Sequence, residues 1–292
     1  MSEPQFTSQG RVAVPGGDIW YGICGTLGDA TPLLVIHGGP GMSHDYLSPL
    51  ADLARDRPVI FYDQLDAGRS DCPNDPANWT VTRFLAEIDA VRAALSLTHV
   101  SVFGNSWGGT LAAAYAASNP KGLERVILSS PLIHTDTWVA DGAALRAALP
   151  PAHLAVMDAL EAEGRTDAPE YEAAVMKFYT RHLCRTDPWP PEVLRTLEGM
   201  NPTCYAAMWG PNEFTCTGVL KGYDGRPGLT QITAPTLVTC GQFDEATPNS
   251  TRALAALIPD ATFEVFGASS HMAFIEERVA YIESLRRFLA AG

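Results

Sequence analysis

Val100-Ser-Val-Phe103-Gly104-Asn105-Ser106-Trp107-Gly108-Gly109-Thr110-Leu111 is the stretch from which the fold is read. It runs from an apolar, strand-like segment through a glycine-rich turn into an Ala-rich segment that ends before Asn119-Pro120. Gly104-x-Ser106-x-Gly108 at such a junction is the pattern of a nucleophile elbow, a strained turn that lifts a serine hydroxyl above the end of a sheet. Small residues two before and two after the serine let the strand and the helix approach closely. With 25 glycines among 292 residues, the spacing alone recurs by chance. The strand–turn–helix context gives it weight.

Working outward, five further short apolar runs read as buried strands: Pro32–Ile36, Pro58–Tyr62, Arg125–Leu128, Thr236–Thr239 and Thr262–Phe266. Most are continuously apolar, as parallel strands covered on both faces are. Helical spacing fills gaps between them. Phe84-Leu85, Ile88, Val91 and Leu95 follow an N-cap candidate at Thr82, Ser106–Ser118 follows the elbow, and Val279–Leu289 closes the chain. Strand and helix in alternation predict an α/β fold, a mostly parallel sheet with helices on both faces. The alternation breaks between Ile133 and Leu229, where helical patches (143–149, 153–163, 170–183 and 191–200) mix with prolines and tryptophans. The expected organisation is a sheet domain of residues 1–132 and 228–292, interrupted by a helical cap domain, 133–227. Such a cap sits over the carboxyl edge of the sheet, where open α/β sheets place their ligands.

Composition narrows the function classes. Apolar residues make up 46% and charged residues 18% of the chain, ordinary for a globular core. Lys+Arg number 20 against 33 Asp+Glu, a net charge of −13. Nucleic acid and anionic membrane surfaces are unsuited partners, because both need a cationic footprint. The first ten residues carry neither a basic nor an apolar leader pattern, no apolar run approaches the roughly 20 residues that span a bilayer, and the expected localisation is cytoplasmic. Six cysteines (24, 72, 184, 204, 216 and 240) show no C-x-x-C pair, so free thiols and no metal or other cofactor are expected.

Three more stretches carry chemistry. His37-Gly38-Gly39-Pro40-Gly41 follows the strand ending at Ile36, and glycine backbone there can aim N–H donors at a developing oxyanion. The donors expected are the Trp107 N–H, just after the candidate nucleophile, and the Gly39 N–H, with Gly38 as the alternative. His37 reads as a residue that holds this loop. Gly241-Gln-Phe-Asp244-Glu245 follows one strand and Ser269-Ser270-His271 the next. Serine needs an imidazole to take its proton, and the imidazole needs a carboxylate to fix its tautomer. Ser106…Asp244…His271 supplies all three in the order nucleophile, acid, base, with Glu245 an adjacent rival for the acid. The other histidines (44, 99, 134, 153 and 182) read as surface or structural.

With these residues in hand, the chain resembles a proline iminopeptidase-type α/β-hydrolase, a group that includes proline iminopeptidases, the tricorn-interacting aminopeptidase and L-amino acid amidases. The resemblance rests on His37–Gly41, Tyr62-Asp-Gln-Leu-Asp-Ala-Gly-Arg-Ser70, Gly104–Gly109, Gly210-Pro-Asn-Glu-Phe214 and Gly241–Glu245, and so spans most of the chain. It implies an α/β-hydrolase fold and a serine hydrolase acting on peptide or amide bonds, with a small-molecule or short-peptide substrate bearing a free α-amino group. It further implies that Glu213 and Glu245 hold that ammonium. An aminopeptidase or amidase acting on a small metabolite, or an esterase or lactonase with the same triad, are the alternatives. The family often reads D-Q-R-G-x-G-R-S, so Leu65 and Asp66 here imply an altered pocket wall. Trp138, Tyr179, Trp189, Tyr205, Trp209 and Phe214 are candidate pocket aromatics, and the Trp107 ring is expected to shape the acyl pocket.

Overall fold

A hairpin, β1 (Ser8–Val14) and β2 (Gly17–Cys24), precedes six further strands: β3 (Leu33–Ile36), β4 (Val59–Tyr62), β5 (Val100–Asn105), β6 (Leu123–Ser129), β7 (Thr236–Gly241) and β8 (Ala261–Phe266). These come from a computed structural model that describes residues 4–290; residues 1–3 and 291–292, the ends of the expected sheet domain, lie outside the described residues. The strands form one sheet in the order β1-β2-β4-β3-β5-β6-β7-β8. Only the pairings of β2 with β1 and with β4 are antiparallel. The other five are parallel.

The continuous apolar runs follow from cover on both faces. In β3, residues Leu34 and Ile36 face one core with Val102, Val126, Leu128 and Val238. Leu33 and Val35 face the other with Phe103, Ile127 and Leu237. Helices α1 (Val81–Ala94) and α2 (Trp107–Ala117) cover the first face through Phe84, Ile88, Val91 and Leu111. A 3-10 helix at Asp45–Arg55 and the C-terminal helix cover the second through Leu47, Leu50, Tyr281 and Leu285. The cap of α1 differs from expectation. Thr80, not Thr82, is the N-cap, because Thr80 has extended backbone and its hydroxyl accepts from the Arg83 N–H at 3.3 Å. The hairpin also escapes the periodicity reading: in β1 only Val12 is buried, so no apolar run announces it.

Between β6 and β7 lie α3 (Thr135–Ala147), α4 (Pro151–Ala162), α5 (Pro169–His182), α6 (Pro191–Glu198), α7 (Pro202–Met208) and α8 (Arg226–Leu229). Met157, Tyr171, Val175, Phe178 and Phe214 form a separate small core there. The short helices α9 (Pro248–Ala255) and α10 (Ala273–Glu276) follow β7 and β8, and α11 (Arg278–Ala290) ends the described chain. Among the described residues no helix is long and apolar enough to cross a membrane.

The chain leaves β3 for β4 on one side and returns to β5 on the other, so β3 and β5 flank the switch point of the sheet. Open α/β sheets bind ligands at that crevice. Ile36 pairs with Gly104 across it, which aligns the His37–Gly41 loop with the elbow. A side chain at Gly108 would place its Cβ 2.2 Å from the Ile36 carbonyl oxygen, a backbone atom that cannot move aside. Gly108→Ala is therefore expected to cost about 3 kcal/mol of stability. Gly28→Ala, where a Cβ meets nothing within 4 Å, stays within about 0.5 kcal/mol. Urea unfolding followed by circular dichroism separates the two.

Candidate active site

The elbow is strained as its glycines require. Ser106 has φ 55° and ψ −121°, a combination that non-glycine residues seldom adopt. A Cβ at Gly104 would lie 2.1 Å from the Gly108 carbonyl oxygen. The turn is locked by backbone bonds from Ser106 N–H to the Ser129 carbonyl (3.1 Å) and from Leu132 N–H to the Ser106 carbonyl (3.1 Å). Ser106 stays half-buried, at the floor of a 590 Å³ cavity that it shares with His271, Gly38, Gly39, Glu213 and Glu245.

The imidazole comes from the loop after β8. His271 Nδ1 lies 2.8 Å from Asp244 Oδ1 and 3.7 Å from Glu245 Oε1. The shorter contact selects Asp244 over its neighbour as the acid that orients the ring. With Nδ1 engaged there, Nε2 is the nitrogen left for a serine hydroxyl. Asp244 is itself held by three donors. Its Oδ1 accepts from the Ala246 N–H at 2.8 Å, and its Oδ2 from Ser130 Oγ at 2.5 Å and the Gly241 N–H at 3.2 Å. Ser130, in left-handed conformation at φ 48°, carries no motif, and only its position after a buried strand could have signalled it. The base loop is pinned too. Glu276 accepts from the Ser270 N–H and hydroxyl, and Glu277 from Ser269 Oγ. From above, the His182 carbonyl accepts the His271 N–H at 3.2 Å.

The two glycines of the His37–Gly41 loop both line the cavity but differ in their bonding. The Gly38 N–H already donates to Tyr46 Oη at 2.8 Å, whereas Gly39 has φ 116°. Trp107 stands at the first position of α2, where backbone N–H groups have no partner within the helix. Its ring points elsewhere. The indole is fully buried, donates to Gln64 Oε1 at 2.9 Å and packs edge-on against Phe84, so it shapes the core beneath the elbow and not the acyl pocket. Gln64 completes the brace by donating to the His37 carbonyl at 2.9 Å. His37 is sealed: its Nε2 accepts from the Gln64 N–H at 2.9 Å, leaving Nδ1 to donate to the Gly38 carbonyl, and burial lowers its pKa.

A second correction concerns Leu65 and Asp66, expected at the pocket wall. Neither lines the cavity. Leu65 is in the sheet core, and buried Asp66 accepts from Trp79 Nε1 at 2.8 Å and from the Asn74 N–H at 2.7 Å. An aspartate at φ 66° replaces the glycine without strain that the fold cannot absorb, because its side chain bonds locally. Of the candidate aromatics, Trp138, Tyr179, Tyr205 and Trp209 line the cavity; Trp189 and Phe214 pack in the cores instead.

The cavity is acidic. Glu172, Glu213 and Glu245 line it, with no Lys or Arg. Burial raises the pKa of Glu213, against the pull of His271 and of donors on Trp138, Tyr205 (3.3 Å) and Tyr179. Glu245 is worse placed. Burial first, then the charges of Glu213 and Asp244, push its pKa well above the carboxylate range, and its Oε2 is buried without a partner. A buried oxygen in that state lacks a donor, and a cation is the donor that also relieves the charge.

The family model described as alpha/beta hydrolase fold matches residues 31–278. A proline iminopeptidase of Heyndrickxia coagulans is 41% identical over 283 residues, which cover 97% of this chain and 98% of that protein. The crystal structure of VinJ superposes with a TM-score of 0.94 at 35% identity, covering 97% of this chain and 98% of VinJ. The proline iminopeptidase of Mycobacterium smegmatis gives a TM-score of 0.90 at 35% identity, covering 97% of each chain.

A fluorophosphonate probe tests the constellation without a known substrate. We expect labelling of the protein, none of Ser106→Ala, and a rate about 10⁴-fold lower for Asp244→Asn, with Glu245→Gln within about tenfold of wild type. Equal slowing by the two acid variants would refute the assignment of Asp244.

Proposed function

The chain belongs to the alpha/beta hydrolase family, in its proline iminopeptidase group, and from that footing we propose that it is a serine aminopeptidase. It hydrolyses the amide bond after an N-terminal aminoacyl residue whose α-amine is free. The observation that carries this reading is the pair of carboxylates, half-buried Glu213 and buried Glu245, in the same cavity as Ser106 and His271 and with no Lys or Arg in its lining. An ammonium on the Cα beside the scissile carbonyl supplies the opposite charge.

The chemistry follows from the geometry. Ser106 Oγ attacks the aminoacyl carbonyl carbon while His271 Nε2 takes the hydroxyl proton. The carbonyl oxygen becomes an oxyanion facing the Gly39 and Trp107 N–H groups, each such donor being worth about 3–4 kcal/mol in the transition state. Asp244 stabilises the imidazolium. His271 then gives its proton to the leaving amine, the C–N bond breaks, and an acyl-Ser106 ester remains. Water attacks that ester, losing a proton to His271, and the amino acid leaves as Ser106 recovers its hydroxyl proton. No step requires a metal or cofactor. Both glutamates act on the ammonium and not on the reacting bond.

The cavity volume favours a second, narrower reading. Its 590 Å³ exceeds what one aminoacyl residue fills, and Val175, Met176, Leu183, Leu197 and Met200 give it an apolar wall. An aminoacyl group amide-linked to a bulky apolar small molecule fits that wall as well as a peptide does.

Aminoacyl-nitroanilides of Pro, Ala, Leu and Phe, free and N-acetylated, test the main reading. N-acetylation is expected to lower kcat/KM at least about 100-fold, since it leaves Glu213 and the buried Glu245 without their cation. Equal rates would favour an esterase or lactonase. The pH dependence has a defined sign. Because the pKa of Glu245 is raised, the empty site holds a proton that ammonium binding must expel. KM should fall as pH rises, until the substrate amine deprotonates near 8. Glu245→Gln should raise KM and flatten that acidic limb, measured as KM against pH.

A further inference from the structure

We propose that Tyr46, a residue outside every motif, is a positioning residue that fixes the two halves of the oxyanion hole relative to each other. The inference rests on the hydrolase reading of Ser106, Gly39 and Trp107 given above. Tyr46 is the second residue of the 3-10 helix Asp45–Arg55 and is 2% exposed at the cavity wall. Its phenol does two things at once. Oη accepts the Gly38 N–H at 2.8 Å, from the loop after β3, and donates to Asn105 Oδ1 at 2.7 Å, from the residue before the nucleophile at the end of β5. Asn105 is held in turn by its own donation to the Ser129 carbonyl at 3.1 Å, at the end of β6. One hydroxyl thus ties the glycine loop to the elbow across the switch point, by a path independent of the sheet's own hydrogen bonds.

Two consequences follow from the donor count. A phenol has one proton and also accepts, so the same hydroxyl makes both bonds. The Gly38 N–H is thereby withdrawn from the hole, leaving the next amide, Gly39, as the loop's donor. The space is as tight as the bonding: a Cβ at Gly38 would lie 2.8 Å from Tyr46 Oη and 3.2 Å from Ser106 Cβ. Burial raises the Tyr46 pKa, so the phenol keeps its proton across the working range. Tyr46 is also tied to the helices above. Its backbone N–H donates to Thr196 Oγ1 of α6 at 3.0 Å. The phenol makes no bond to a reacting group, so its influence passes through the Gly39 and Trp107 amides and is felt where the oxyanion exists.

Tyr46→Phe keeps the ring, including its packing 5.7 Å from Phe274, and removes both bonds. Kinetics are measured on a free aminoacyl-nitroanilide and on 4-nitrophenyl acetate, whose hydrolysis needs the hole but no ammonium site. Melting temperature and the affinity of a simple boronate are measured alongside. We expect kcat to fall about 10- to 100-fold on both substrates, less than deletion of an oxyanion donor. KM for the nitroanilide should stay within twofold, and boronate affinity should fall in step with kcat. An unchanged kcat on the acetate overturns the proposal. So does a loss that raises KM equally, or one that merely follows a lost folded fraction, because both describe a structural residue. If Tyr46→Phe does not fold, Asn105→Ala removes the phenol's acceptor and carries the same expectation. Absence of discrimination for a free amine in the wild type would refute the aminopeptidase reading, while the acetate data would still decide the role of Tyr46.

Discussion

The contact between Gly108 and the carbonyl of Ile36 is the constraint on which the rest of the site depends. Helix α2 can leave the end of β5 at the angle it does only because no side chain intervenes there. That angle puts Ser106 in its unusual backbone conformation and turns the first amides of α2 toward the crevice between β3 and β5. The energy stored in the turn is offset by the surrounding sheet, whose strands β3, β5 and β7 are buried along their whole length. Nucleophile, glycine loop and acid are therefore positioned by strand ends, the least deformable parts of the molecule. The imidazole loop is fastened further by Glu276, Glu277 and His182.

Electrostatics set up a second tension. Placing two carboxylates in one poorly hydrated cavity is unfavourable for both, and the molecule distributes that cost unevenly. Glu213 is given donors from Trp138, Tyr179 and Tyr205, while Glu245 is given none for one of its oxygens. The two sites therefore do not titrate independently. Asp244, the residue before Glu245, accepts from Ser130, Gly241 and Ala246. Adjacent acidic residues thus have opposite environments, one saturated with donors and the other starved of them.

What was legible in the sequence was whatever is local or repeats along the chain. Strands covered on both faces announce themselves as apolar runs, and six did; the β1–β2 hairpin, with one buried residue in its first strand, does not. Thr80 and Thr82 are indistinguishable as caps until the backbone of each is known. The loops bearing Ser106, Asp244 and His271 follow strands and so could be read as candidates, and the structure places Asp244 and His271 in contact and Ser106 and His271 on one cavity. The supports of that site were not legible. Ser130 reaches Asp244 over 114 positions, and Tyr46 reaches Asn105 over 59; nothing in either residue's neighbours betrays the partner. Likeness to a family pattern misled at Leu65 and Asp66, because a changed motif residue need not lie where ligand binds.

The floor and the roof of the cavity have different origins. Strand-end loops provide Ser106, Glu245 and His271, whereas one uninterrupted stretch between β6 and β7 provides Trp138, Glu213 and most of the remaining wall. Among the hydrogen bonds that join them are Asn201 to Gly41, His182 to His271, Thr196 to Tyr46, Asp141 to Thr247, Arg185 to Glu276 and Arg195 to Asp45. A graft that exchanged the roof while respecting those stitches would inherit a new ligand preference without disturbing the reacting groups beneath. Diversification in this architecture has a cheap axis and an expensive one, and the seam between β6 and β7 is where they part.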